Sequence, residues 1–118
     1  CGTGAFKGAI SEYDSGGYKT IGGLKPTGIC GSGLVDIVAF MLEEQLISAD
    51  GYMKTDYTVV PGSQSYNGSP VTITPADIRE IQLAKSAIMS GVQILLKTAK
   101  ISMEEIDYLF LAVYKSFL

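Results

Sequence analysis

Histidine is absent from this 118-residue chain, and that absence excludes a great deal. Without an imidazole, the chain's own residues cannot assemble a Ser-His-Asp triad, a Cys-His pair or a histidine-ligated metal centre. Cysteine is scarce. Cys1 and Cys30 are too few for a disulfide scaffold or a four-ligand metal site, and a reducing cytoplasm fits this usage. Basic charge is thin as well: nine Lys and Arg stand against twelve Asp and Glu, for a net charge of −3, and no Lys/Arg cluster appears. A nucleic-acid partner, which calls for a basic face, is therefore not expected. No run approaches the ~18 to 20 uninterrupted apolar residues that span a bilayer, since the stretch from Leu34 to Ile47 is broken by Asp36, Glu43 and Glu44. No membrane association is expected, and no segment reads as a signal peptide.

What is present is the composition of a folded protein: 47% hydrophobic against 18% charged residues. A chain of this length buries one modest core, so a single domain or lobe over residues 1–118 is expected. It opens on Cys1 rather than Met, with Gly2, Gly4 and Gly8 close behind, and so reads as an excised domain or fragment.

Ala9 to Tyr13, the turn Asp14-Ser15-Gly16-Gly17, and Tyr18 to Ile21 predict a β-hairpin, because glycine supplies the backbone such turns demand. Residues 22–28 read as a loop held partly by Pro26, with no apolar strand before the helix that follows. That helix is predicted from Ser32 or Gly33 to about Ile47. Leu34, Val38, Met41, Leu42 and Leu46 form its buried face, Val35 and Ile37 a second apolar strip, and Ser48-Ala49-Asp50-Gly51 the stop. Val59-Val60 and Val71 to Ile73 are expected to pair around a mobile tip at 61–70. Thr74 then reads as an N-cap, Pro75 as the first helical residue and Asp77 as the third, opening a long helix to about Ala99. Its periodicity runs through Ile78, Ile81, Ala84, Lys85, Ile88, Val92, Leu95 and Leu96. Ser102 with Glu105 suggests a second capping box, and Tyr108 to Val113 a buried strand.

The most distinctive stretch is Gly28-Ile29-Cys30-Gly31-Ser32-Gly33-Leu34. Gly28, Gly31, Ser32 and Gly33 have two readings. Backbone N–H groups at a helix start form a ready anion site, while glycines without Cβ also let a helix approach a sheet closely. The order G-x-x-G-x-G is not a dinucleotide fingerprint, no Lys-Ser/Thr pair makes it a Walker A loop, and Leu34 rules out a nucleophile elbow. Cys30, lacking a histidine base, reads as a small packed residue rather than a reactive thiol. Gln82, Lys85 and Ser86 share one side of the long helix. They suit either a ribose or base contact or a polar, partner-facing strip.

Three blocks together resemble one family: Cys1-Gly2-x-x-Ala5-x-x-Gly8-Ala9-Ile10, then Pro26-x-Gly28-Ile29-Cys30-Gly31-Ser32-Gly33-Leu34-Val35-Asp36, then Asp77 to Ile88. In content and order they look like the late part of the ATPase region in reductive activators of corrinoid proteins, including the methylamine methyltransferase corrinoid activation type. The resemblance implies a mixed α/β fold, part of an actin-like, ribonuclease H-like lobe with two main helices on a small mixed sheet. It also implies ATP and Mg²⁺ in the parent protein, an iron–sulfur cluster elsewhere in that parent, and a corrinoid protein of a methyltransferase system as partner. In such activators ATP turnover drives electron transfer from the cluster to cobalt(II), restoring cobalt(I). The family's phosphate-binding Asp-x-Gly-Thr segments and cluster cysteines have no counterpart in this chain. Val113-Tyr114-Lys115 stand where the family has the glycines of its adenosine loop.

The chain alone is accordingly expected not to hydrolyse ATP, and its uncovered apolar surface makes a homo-oligomer an expectation. Two other readings stand beside this one: a non-catalytic docking or dimerisation module, and a lobe of another actin-like ATPase such as a 2-hydroxyacyl-CoA dehydratase activator.

Overall fold

A computed structural model describes residues 2–110 of the chain. Ala9 and Ile10 are both buried, and from Ser11 to Asp14 half-buried and exposed residues alternate, along strand β1, Ala9–Asp14. The two-residue turn Ser15-Gly16, in which Gly16 N donates to Asp14 Oδ1 at 2.7 Å, returns the chain into β2, Gly17–Thr20, antiparallel to β1. A single 3₁₀ turn over Ile21–Gly23 follows. The chain then crosses to the other side of β1, where Gly28–Ile29 forms β3, parallel to it with Ile10 opposite Ile29. The sheet order is β2-β1-β3. The loop expected at Gly28 thus ends in a short strand, which exists only because β1 offers it an edge.

Helix α1 covers Gly31–Glu43 and packs on β1. It buries Gly33, Ile37 and Met41, one residue per turn at spacing four. This corrects the expected face: Leu34 and Val38 are half-buried, while Val35, Leu42 and Leu46 are exposed. The helix also stops at Glu43 rather than Ile47. Gln45 turns left-handed at φ 58°, and the N–H groups of Leu46 and Ile47 both fold back onto Met41 O. That closure swings Ile47 into the core although it has left the helix.

The expected second hairpin is present as β4, Tyr57–Val60, antiparallel to β5, Val71–Ile73. In the 61–70 connection the buried Ser65 hydroxyl donates to Gly62 O at 3.1 Å, and Tyr66 N reaches Pro26 O at 2.9 Å. Ile10, Ile29, Ile37, Met41, Ile47, Met53, Val60, Ile73 and Ile78 make one core between the sheets and α1. An aromatic bridge closes one side of it. Phe40 meets the Tyr13 ring edge-on at 5.1 Å, and the Tyr13 and Tyr57 hydroxyls lie 2.7 Å apart. Burial, reinforced by that hydrogen bond, pushes the Tyr13 phenol far above its ordinary value.

Helix α2, Pro75–Ala99, has the expected bounds. Its start is a capping box: Thr74 Oγ1 accepts from Asp77 N at 3.2 Å, and Thr74 N donates to Asp77 Oδ2 at 2.8 Å. Of its 25 residues only Ile78 is buried, with Ile81 half-buried beside it. At Ser102 the capping box is not formed. The hydroxyl donates to the Glu105 side chain instead, and Met103–Glu105 is a single 3₁₀ turn. Residues 108–110 of the expected last strand are not in a sheet, and Phe110 is 90% exposed. An apolar run becomes a strand only where another strand pairs with it, and none does so here among the described residues. Positions 111–113 of that run lie outside those residues.

Candidate functional site

The candidate residues fall into two groups, one at the β3–α1 junction and one on α2. Gly28, Gly31, Ser32 and Gly33 gather where β3 enters α1, and their contacts are with β1 and the chain start. Cys30 N donates to Ile10 O at 3.1 Å, and the buried thiol of the same residue donates to that oxygen at 3.2 Å. Ser32 Oγ donates to Ser11 O at 2.9 Å. A Cβ on Gly33 would lie 2.1 Å from Ile10 O, which is a backbone atom and cannot swing aside. A Cβ on Gly28 would lie 2.6 Å from Thr3 Cγ2. At Gly33 and Ser32 the geometry is that of a helix seated directly on a strand. Ser11 sits in the irregular stretch of β1 between Ile10 and Glu12, where its carbonyl is turned toward α1.

Gln82, Lys85 and Ser86 lie together on α2, and Met89 and Ser90 join them around an open depression of about 450 Å³. That volume is within the ~300–1,000 Å³ of small-molecule sites. The last two residues were missed in the sequence, though their spacing of four from Lys85 and Ser86 was the signal that could have found them. The depression offers an ammonium, two hydroxyls, an amide and a thioether: polar hydrogen-bonding groups beside a soft apolar face. Gln82, on the depression's lining, is itself anchored: Nε2 donates to Asp50 O at 2.9 Å. None of the glycine-turn residues lines this depression, so the two groups remain separate on the described surface.

A larger open hollow of about 830 Å³ lies between β2 and the 62–64 turn, bordered by Tyr18, Lys25, Ser63 and Gln64 among others. It holds none of the candidate residues, and size alone does not make it the site. No group of three or more His, Cys, Asp or Glu among the described residues could hold a metal ion. Among the described residues no helix is long and apolar enough to cross a membrane. Cys30 is the single cysteine among the described residues, so these offer no ligand set for an iron–sulfur cluster. Lys85, Ser86 and Ser90 bring hydrogen-bond donors together at the depression on α2.

A glycine-seated helix on a mixed sheet and a long helix with an exposed polar cluster make up the described part of the chain. A solved structure, "Reductive activator for corrinoid,iron-sulfur protein", superposes with a TM-score of 0.78 at 32% identity, covering 90% of this chain and 20% of that one. The chain belongs to the family described as the C-terminal domain of RACo, the ASKHA domain, which matches residues 1–113. It is also similar to "Corrinoid activation enzyme RamQ" of Eubacterium limosum, 29% identical over an alignment of 131 positions that covers 93% of this chain and 22% of the relative. The chain thus spans about a fifth of the length of the relatives it matches.

Proposed function

We propose that this chain is part of an ATP-dependent reductive activator that returns a cobalt(II) corrinoid protein to cobalt(I) for methyl transfer, and that the chain itself is not catalytic. The observation that carries this reading is the family match over residues 1–113, joined by relatives whose names specify corrinoid activation. In the reaction one electron leaves a reduced iron–sulfur cluster, held elsewhere in the full-length protein, and reduces cobalt(II) to cobalt(I). ATP turnover supplies the driving force. The chain's own part is to bind nucleotide: the Lys85 ammonium and the Ser86 hydroxyl bind the ribose or base, and Gly28, Gly31, Ser32 and Gly33 keep α1 seated beneath the same lobe. The partner under this reading is the corrinoid protein of a methyltransferase system, in the cytoplasm.

The test uses the full-length protein with its corrinoid partner, a low-potential reductant and ATP, following the cobalt(I) absorbance. ATP-dependent appearance of cobalt(I) is expected. Lys85→Ala should raise the Kd for ATP by about tenfold or more, because a hydrogen bond from a charged group is worth ~1.5–3 kcal/mol. Cobalt(I) formation that ignores ATP, or unchanged ATP affinity in Lys85→Ala, would overturn the proposal.

A further inference from the structure

Ser48 to Tyr52 forms a cross-braced turn. Ser48 N donates to Tyr52 O at 2.9 Å, Gly51 N to Ser48 O at 2.9 Å, and Tyr52 N to Ser48 Oγ at 3.0 Å, while the Ser48 hydroxyl also bonds the Asp50 carboxylate. Ile47 and Met53, both buried, root the turn in the core at either end. Within it Gly51 adopts φ +87°, and a Cβ there would lie 1.9 Å from Gln82 Nε2 and 2.6 Å from its Cδ. The Gln82 amide therefore occupies the space that a side chain at position 51 would take, while it donates to the neighbouring Asp50 O.

Apolar packing does not hold the adjoining part of α2. From residue 82 to 99 nothing is buried, and only Val92 and Leu96 are half-buried. We propose that the 48–52 turn is a positioning device for the depression on α2: Gly51 supplies the seat and Asp50 O the anchor that hold Gln82, and with it residues 85–90, in register with the core. Gln82 is then a positioning residue rather than a ligand contact. This inference rests on the nucleotide reading of that depression.

In the full-length protein, ATP affinity by calorimetry and amide hydrogen exchange over residues 83–90 are measured for wild type, Gly51→Ala, Gln82→Ala and the double variant. Each single variant is expected to weaken ATP binding about fivefold and to speed exchange over 83–90. The double should be no weaker than the worse single, as for groups acting through one contact. Gln82→Met keeps the side-chain length, removes the amide and imposes no backbone strain at 51, so it should reproduce the Gln82→Ala result. Losses that multiply in the double variant, or weakened ATP binding with unchanged exchange in Gln82→Met, would overturn the positioning role. A wild-type protein that binds no ATP would instead defeat the nucleotide reading itself, and this inference with it, before any variant is compared.

Discussion

Helix α1 seats Gly33, Ile37 and Met41 against β1, and the two side chains at its centre, Ile37 and Met41, are wholly buried. Helix α2 is nearly twice as long and equally periodic, yet past Ile81 most of its apolar residues are exposed, Leu83 to 71% and Leu95 to 69%, and only Val92 and Leu96 are half-buried. Periodicity marks the face a helix needs covered, and says nothing of what covers it. The difference lies in how each helix is fastened. The first is fixed by backbone meeting backbone, at a position where only glycine fits. The second is fixed at its N-terminal end, by Ile78, a capping box and one hydrogen bond donated by the Gln82 amide.

The sharpest way to break this contrast is Gly33→Ala. The new methyl would have to displace the Ile10 carbonyl or lift α1 off the sheet, and overpacking of that kind should cost about 3 kcal/mol in urea unfolding. A loss below ~1 kcal/mol would mean that the α1–β1 spacing relaxes easily and that the helices differ less than their contacts indicate.

A smaller effect is expected at the start of α2. Thr74→Ala removes one half of the capping box and should cost ~1 kcal/mol. Burial of the Asp77 carboxyl disfavours its charge, but the Thr74 N–H and hydroxyl outweigh it and hold the pKa below the ordinary 3.8. A carboxyl with a depressed folded pKa contributes stability that is complete above the unfolded value and disappears as pH falls beneath it. The wild type should therefore lose stability on acidification below 3.8, and Thr74→Ala should lose less over the same range. Parallel curves for the two proteins would remove the cap from the account of how α2 is fastened.

The smallest effect has the opposite sign. Gly91 lies inside α2, and a Cβ there meets nothing within 4 Å. Gly91→Ala should stabilise the chain by roughly 0.5–1 kcal/mol, since glycine in a helix interior carries an entropy penalty. One substitution, Gly→Ala, would then destabilise at 33 and stabilise at 91. A loss of stability at Gly91, read by thermal melting, would show that this side of α2 is covered after all.

Much of the architecture was legible because its signals are local. Thr74, Pro75 and Asp77 announced the start of α2, and Asp14 to Gly17 announced the first hairpin. The polar cluster of α2 was half legible: helical spacing placed Gln82, Lys85 and Ser86 on one side, and the same rule extends to Met89 and Ser90. Other features were not legible. Ile37 was read as part of a second strip and became the centre of the core, because which face of α1 is buried depends on where Gly33 meets β1. The strand expected at 108–113 failed over 108–110 for a related reason, since pairing needs a neighbour that composition does not reveal.

By itself, the sequence determined the cap that opens α2, the first hairpin turn, the presence of the two helices, and the family carried by Gly28 to Asp36 and Asp77 to Ile88. Only the tertiary structure decided that Gly33 is a backbone contact, that the Ser32 hydroxyl is engaged by Ser11, and that Gln82 is anchored to a turn 32 residues away. The physical reason is range. Caps, turns and helical faces arise from interactions within about four residues and are written in consecutive letters. The seat of Gly33 and the anchor of Gln82 join positions far apart in the chain, and exist only once the core has brought them within hydrogen-bonding distance.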